Sequence, residues 1–134
     1  EAPGPLSQGL LFELQAIAAR ARSAHVAVDL DVDDAAVRIP TETATVAYRV
    51  VQESITNAIR HGAVRKVTIV IRRLGEQLAV SVQDDGGVGM SLSEGNGMRG
   101  MRERVESLGG QLTIDADDTG VRIMAVLPWE EDAR

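Results

Sequence analysis

Residues 52–61, which read QESITNAIRH, form the second half of a long amphipathic segment. The segment predicts a helix that begins at Pro40 or Thr41 and ends near His61, with Gly62 as the expected stop. At about 100° per residue, seven apolar side chains fall in one stripe that we expect to be core. These are Ala44, Ala47, Tyr48, Val51, Ile55, Ala58 and Ile59.

The opposite side of this helix carries a polar row: Glu53, Asn57 and His61 follow one another at intervals of four. Side chains four apart on a helix stand one above the other. Mg²⁺ prefers oxygen ligands and keeps several waters, so Asn57 could supply a direct oxygen and Glu53 could hold a metal-bound water. Arg60 and His61 are placed to receive phosphate oxygens. The same row also fits an ordinary solvated helix face.

A glycine-rich segment follows a predicted strand and begins with an acidic residue. Alternation places Val80, Val82 and Asp84 on the same side of the strand. If the valines face inward, Asp84 lies at the inner end of the strand, where a carboxylate needs a hydrogen-bond donor such as an adenine amino group. Three glycines follow that allow a ligand to approach closely: Gly86, Gly87 and Gly89.

A second glycine cluster, residues 95–101 (GNGMRGM), lies at the start of a predicted helix. Helix N-termini present free N–H groups to phosphates. The G-x-G-x-x-G spacing is not a dinucleotide fingerprint here, because no βαβ unit surrounds it. A P-loop is also excluded, since the only lysine is Lys66. Both glycine clusters equally fit turns and a helix start.

The remaining pattern indicates an α+β two-layer sandwich, with a mixed, mostly antiparallel sheet covered on one face by about three helices. We expect further helices at 8–24, capped by Ser7, and at 99–108; the first either continues a linker or covers the sheet. Strands are expected at 26–31, 37–39, 66–73, 77–83, 111–115 and 121–127, with Asp33 and Asp34 as the turn between the first two. Residues 1–134 make one domain, with a linker end at 1–5, a globular part at 6–128 and a loose tail at 129–134.

Composition narrows the function further. The formal net charge is −6 and only 2% of the residues are aromatic, which argues against nucleic-acid binding. Without cysteine, disulfides and thiolate metal sites are excluded. No apolar run approaches a membrane span and no signal peptide is visible. We therefore expect a cytoplasmic domain without membrane contact, although its parent protein could be membrane-anchored.

Three motifs in a fixed order resemble the catalytic domain of bacterial sensor histidine kinases. Residues 52–61 are similar to the N box, residues 84–89 to the first glycine box, and residues 95–104 to the second. The continuation GMRER is similar to kinases that work with LuxR/NarL-type response regulators. Together the resemblance covers about residues 41–128.

The resemblance implies the Bergerat ATP-binding fold, shared with gyrase-type ATPases and heat-shock protein 90, and ATP with Mg²⁺ as cofactors. It implies that Asn57 ligates Mg²⁺, that Glu53 positions a metal-bound water as the catalytic acidic residue, and that Asp84 binds adenine. Arg60 and His61 would contact phosphate, and residues 90–96 would form the lid. Phosphate or nucleotide contacts would also come from Gly95, Gly97, Met98, Gly100 and Met101.

The implied partner is a dimerisation and phosphoacceptor hairpin, with a response regulator downstream. Neither His25 nor His61 has the sequence neighbourhood of a phosphoacceptor, so we expect the isolated chain to be a monomer that binds ATP without phosphorylating itself. Three alternatives stay open: a gyrase-type ATPase, an anti-sigma-factor serine kinase, and a non-catalytic nucleotide-binding module.

One departure from the family pattern concerns the first glycine box, which usually reads D-x-G-x-G. Counting from Asp84 reaches Gly86 but then Val88, whereas counting from Asp85 reaches Gly87 and Gly89. Strand register favours Asp84 as the adenine-binding residue, and Asp85 remains the alternative.

Overall fold

The computed structural model describes residues 9–33, 39–61, 64–86 and 96–129. Within these ranges the chain forms three helices and five strands. The helices are α1 (Leu10–Ser23), α2 (Thr41–His61) and α3 (Asn96–Ser107). The strands are β1 (Ala27–Val32), β2 (Lys66–Leu74), β3 (Gln77–Asp84), β4 (Gln111–Asp117) and β5 (Gly120–Pro128).

The five strands form one mixed sheet in the order β1-β2-β3-β5-β4. The β1–β2 pair is parallel and the other three pairs are antiparallel. Together with the three helices, this confirms the predicted α+β class. The predicted partner strand for β1, at residues 37–39, falls mostly outside the described ranges. The partner that the described residues show is β2; because α2 lies between β1 and β2 in sequence, a helical crossover returns the chain in parallel. Ile39 is in no strand, and residues 34–38 lie outside the described ranges.

The core lies between the sheet and the helices. Alternate residues of β2 and β3 are buried, and α2 contacts β2, β3 and β5. Six of the seven predicted core residues of α2 are buried, but Ile59 is 38% exposed. Val50 and Ser54 are also buried. The buried stripe of α2 is therefore centred away from Ile59, which lies at its edge. The Ser54 hydroxyl donates to the carbonyl of Val50 at 2.6 Å, so its burial leaves no free donor.

The first helix covers the edge of the sheet, since α1 contacts both β1 and α2. It begins at Leu10, and its N-cap is Gly9 with a φ of 97°. The predicted cap at Ser7 is therefore wrong, and Ser7 itself lies outside the described ranges. His25, at the end of the turn into β1, is exposed. In the described part of the chain, no helix is both long enough and apolar enough to span a membrane.

The residue that follows β5 belongs to the core. Trp129 is only 2% exposed, and its backbone N–H donates to the carbonyl of Glu76 at 2.6 Å. Because Pro128 pairs with Gln77, the next residue is directed at the β2–β3 turn. The prediction that Trp129 belongs to a loose tail is therefore wrong, and residues 130–134 lie outside the described ranges.

Candidate active site

The polar row of α2 lies on a half-buried face of the helix. Glu53 and Asn57 are both half-buried, whereas Arg60 is exposed. His61 is the last residue of α2, and its side chain lies outside the described part. No cluster of three or more His, Asp or Glu side chains in the described ranges could hold a metal ion. One carboxylate and one amide oxygen fit a cation such as Mg²⁺, which keeps several waters and shares phosphate ligands.

The first glycine box begins at the end of β3 with a half-buried carboxylate. Val80 and Val82 are buried, so the predicted register is correct and Asp84 lies on their side of the sheet. The Asp84 Oδ1 atom accepts hydrogen bonds from the N–H groups of Gly86 at 2.9 Å and Val121 at 3.1 Å. Among the described residues, no donor bonds to its second oxygen, Oδ2.

The neighbouring carboxylate has a different task. The Asp85 Oδ1 atom accepts from the backbone N–H groups of Arg65 at 2.8 Å and Lys66 at 3.1 Å, and the residue is exposed. Partial burial raises the pKa of Asp85, but the hydrogen bonds from Arg65 and Lys66 outweigh it and hold the pKa below its usual value. Asp85 therefore holds the start of β2 in place through these two backbone hydrogen bonds.

Both ends of α2 are fixed relative to the sheet. At its first turn, the Thr43 hydroxyl donates to the carbonyl of Pro128 at 3.1 Å, where β5 ends beside Gln77. After its last turn the chain enters β2, whose Val67 pairs with Asp84. The half of α2 that carries Glu53 and Asn57 therefore lies at the same end of the sandwich as Asp84.

The start of α3 points to this end as well. After α3, the chain enters β4 at Gln111, which pairs with Val126 near the far end of β5. Gly110, which directly precedes β4, packs closely against this part of β5, because a Cβ on it would overlap the carbonyl oxygen of Val126. A helix of twelve residues spans about 18 Å, so its first turn lies toward the end where Asp84 is found.

The second glycine box forms the first turns of α3. The helix begins at Asn96, three residues before the predicted start, so Gly97 lies in its first turn, where N–H groups have no intrahelical partner. Met98 and Met101 are buried in the core, and Gly100 is half-buried. Gly87, Gly89, Gly95 and the expected lid from residue 90 onward lie outside the described ranges, apart from Asn96.

The sequence interpretation missed one contributor to this site, the β4–β5 turn. Val121 donates to Asp84, and the preceding Gly120 packs against the Asp84 backbone. The only local signal was a glycine closing a hairpin turn, which is common in proteins. A contact between residues 37 positions apart could not be read from that signal.

Comparison with known proteins agrees with this architecture. The chain is 39% identical to the sensor histidine kinase YxjM of Bacillus subtilis over 90 residues. This aligned region covers 66% of this chain and 22% of YxjM. It is 34% identical over 80 residues to the sensor histidine kinase DesK of the same organism, and this region covers 58% of this chain and 21% of DesK. The chain thus spans about a fifth of the length of these curated relatives.

The fold matches solved histidine kinases. The histidine kinase domain from the Erythrobacter litoralis EL346 blue-light activated histidine kinase superposes with a TM-score of 0.74 at 27% identity, covering 96% of this chain and 66% of that one. The Acinetobacter baumannii histidine kinase AdeS, at 15% identity, shares the fold with a TM-score of 0.70, covering 91% and 64%.

These likenesses agree with the family that the three motifs predicted. Residues 42–131, about two thirds of the chain, match the family described as histidine kinase-, DNA gyrase B-, and HSP90-like ATPase. The chain belongs to this ATPase family.

Proposed function

We propose that this chain is the ATP-binding catalytic domain of a sensor histidine kinase. It binds Mg-ATP and donates the γ-phosphoryl group to a histidine on a dimerisation and phosphoacceptor hairpin of the same kinase. The observation that carries the proposal is the convergence of three elements at one end of the sandwich: the Glu53–Asn57 face of α2, the Asp84 carboxylate, and the first turn of α3. The names of the relatives support histidine as the acceptor.

Each element has a chemical role in the proposed complex. Asp84 accepts a hydrogen bond from the adenine amino group through Oδ2. Asn57 and Glu53 hold Mg²⁺, directly and through water, and the bound ion offsets the negative charge of the phosphates. Arg60, His61 and the N–H groups at the start of α3 contact phosphate oxygens. Phosphoryl transfer depends mainly on positioning and charge stabilisation, which these groups supply.

The proposal extends to the partners and the compartment. The GMRER stretch in the middle of α3, residues 100–104, supports a LuxR/NarL-type response regulator as the downstream partner. Since ATP and such regulators are found in the cytoplasm, we place the domain there.

Nucleotide binding is tested by calorimetric titration of the chain with a non-hydrolysable ATP analogue, with and without Mg²⁺. We expect Mg²⁺-dependent binding that Asn57→Ala abolishes. Thr56→Ala is the matched control, because Thr56 is the exposed neighbour of Asn57 on α2. Equal binding by the wild-type and Asn57→Ala proteins would contradict the assigned metal ligand.

The acceptor is tested by adding a phosphoacceptor hairpin from the parent kinase together with labelled ATP. We expect acid-labile phosphate on the hairpin and none on this chain alone. Acid-stable phosphate on a serine of a partner would instead assign a serine kinase. Rapid release of free phosphate without any partner would assign an ATPase of the gyrase type.

A further inference from the structure

The turn between β4 and β5 touches the backbone at the end of β3. Gly120 closes this turn with a φ of 149°, in a region that favours glycine. A Cβ at this position would overlap the carbonyl oxygen of Asp84 and would lie 2.8 Å from its carbonyl carbon. Any side chain at position 120 must therefore displace either the turn or the residue that begins the first glycine box.

The close approach places a hydrogen-bond donor on the Asp84 side chain. Val121 follows Gly120, and its N–H group donates to Oδ1 of Asp84 at 3.1 Å. The N–H group of Gly86 donates to the same oxygen at 2.9 Å. Two donors on one oxygen fix the rotation of the carboxylate and leave Oδ2 as the acceptor for a ligand.

We propose that Gly120 is a positioning residue for base recognition. It allows the β4–β5 turn to approach closely enough for the Val121 N–H to orient the Asp84 carboxylate toward a purine amino group. This inference rests on the proposed function, because it assumes that Asp84 receives the base. Its consequence is selectivity: an acceptor held at this point favours a 6-amino purine over a 6-oxo purine, whose carbonyl oxygen would face the carboxylate without a donor.

The close approach distinguishes Gly120 from another hairpin glycine of the same sheet. Gly75 lies in the β2–β3 turn with a φ of 64°, and a Cβ there meets nothing within 4 Å. Gly75→Ala therefore introduces backbone strain alone, whereas Gly120→Ala also displaces Asp84. The two turns lie at opposite ends of β3, so Gly75→Ala is a matched control.

The experiment measures affinity for non-hydrolysable analogues of ATP and of inosine triphosphate in four variants: Gly120→Ala, Gly75→Ala, Asp84→Asn and the Asp84→Asn, Gly120→Ala double variant. The preference is the ratio of the affinity for the ATP analogue to the affinity for the inosine triphosphate analogue. We expect Gly120→Ala to lower this ratio by about tenfold relative to the wild type, the order expected for one hydrogen bond to a charged group. Gly75→Ala should leave the preference unchanged. In the double variant the two losses should not add, because both act through one carboxylate.

A preference that survives in Gly120→Ala, while Asp84→Asn abolishes it, would overturn the positioning role and leave the proposed function intact. A preference untouched by Asp84→Asn would instead remove Asp84 from base recognition, and with it this inference.

The contact itself is tested without nucleotide, by amide hydrogen exchange of Val121 relative to the amides of β3. Asp84→Ala should accelerate the relative exchange of Val121 by about tenfold. This arm decides the contact even if Gly120→Ala does not fold. An unchanged relative rate would overturn the inference.

Discussion

The guanidinium carbon of Arg73 lies 3.9 Å from the ring centroid of Trp129, which places a cation over the face of an indole at the end of the β2–β3 hairpin. The pair joins a strand near the middle of the chain to the residue that follows the last strand. The backbone hydrogen bond from Trp129 to Glu76 reinforces the same junction. Because the indole is almost completely buried, it should contribute strongly to stability.

Replacing Trp129 tests this contribution. Trp129→Ala should lower the free energy of unfolding by about 3–5 kcal/mol through lost burial and a new cavity. Trp129→Phe should cost clearly less, because Nε1 has no hydrogen-bond partner in the described part of the chain and its removal sacrifices no bond. Leu74→Ala, at a side chain that is 59% exposed, is the control. Urea denaturation measures all three, and equal losses for Trp129→Ala and Leu74→Ala would show that the indole is not part of the core.

The two glycines before β4 should respond to alanine for different reasons. Gly109 has a φ of 87° with open space around it, whereas a Cβ on Gly110 would overlap the carbonyl oxygen of Val126. We expect Gly109→Ala to cost about 1 kcal/mol of backbone strain and Gly109→Asn to recover part of that loss. Gly110→Ala should cost more, since β5 must shift.

Thermal unfolding of these three variants separates the two causes. The prediction for Gly110 is contradicted if its alanine variant melts at or above the temperature of Gly109→Ala. The prediction for Gly109 is contradicted if asparagine is no better than alanine there.

The Asp85 carboxylate should make stability depend on pH in the acid range. Its pKa is depressed in the folded protein, so its stabilising contribution is present above the unfolded value of about 3.9 and is lost as the pH falls through the folded value. Asp85→Asn keeps the shape but removes the charge. The stability of the wild type should therefore fall more steeply than that of Asp85→Asn below about pH 4.

Unfolding curves between pH 7 and pH 3 measure this difference, and parallel curves would refute it.

Nucleotide affinity distinguishes the roles of the adjacent carboxylates Asp84 and Asp85. Asp85→Asn should leave it close to the wild-type value, whereas Asp84→Asn should weaken it.

The local periodicity of the sequence predicted most of the fold. The alternation in β2 and β3 and the 3.6-residue period of α2 each depend on neighbours in sequence, and both are confirmed. The pairing of β1 was beyond this method, because its partner follows α2 and the choice depends on the path of the crossover. Trp129 was misassigned for a related reason: an acidic segment follows it, but its burial comes from a hairpin about fifty residues earlier.

The candidate site shows the same division. The residue types and spacing in α2 and at the end of β3 indicated Glu53, Asn57 and Asp84 as candidates. The separate hydrogen-bond partners of Asp84 and Asp85 emerge only in three dimensions, because they come from β5 and from the start of β2. Which aspartate faces the helices was predictable from strand alternation, but what holds each of them in place was not.

Glu53 should affect phosphoryl transfer more than nucleotide binding. Its half-buried carboxylate lies one turn before Asn57, where it can hold a metal-bound water but is not assigned as a direct ligand. Glu53→Gln keeps the size and a hydrogen-bonding group while removing the charge. With a phosphoacceptor hairpin supplied, we expect the transfer rate to fall by about a hundredfold, as for loss of a positioned acid or base. Affinity for the Mg²⁺–nucleotide analogue should change by only a few fold.

Gln52→Glu is a suitable charge control, because Gln52 lies beside Glu53 but bonds to Arg49. Equal losses of affinity and of transfer rate in Glu53→Gln would instead make Glu53 a binding residue, because a group that acts mainly in the transition state lowers the rate without a matching loss of binding.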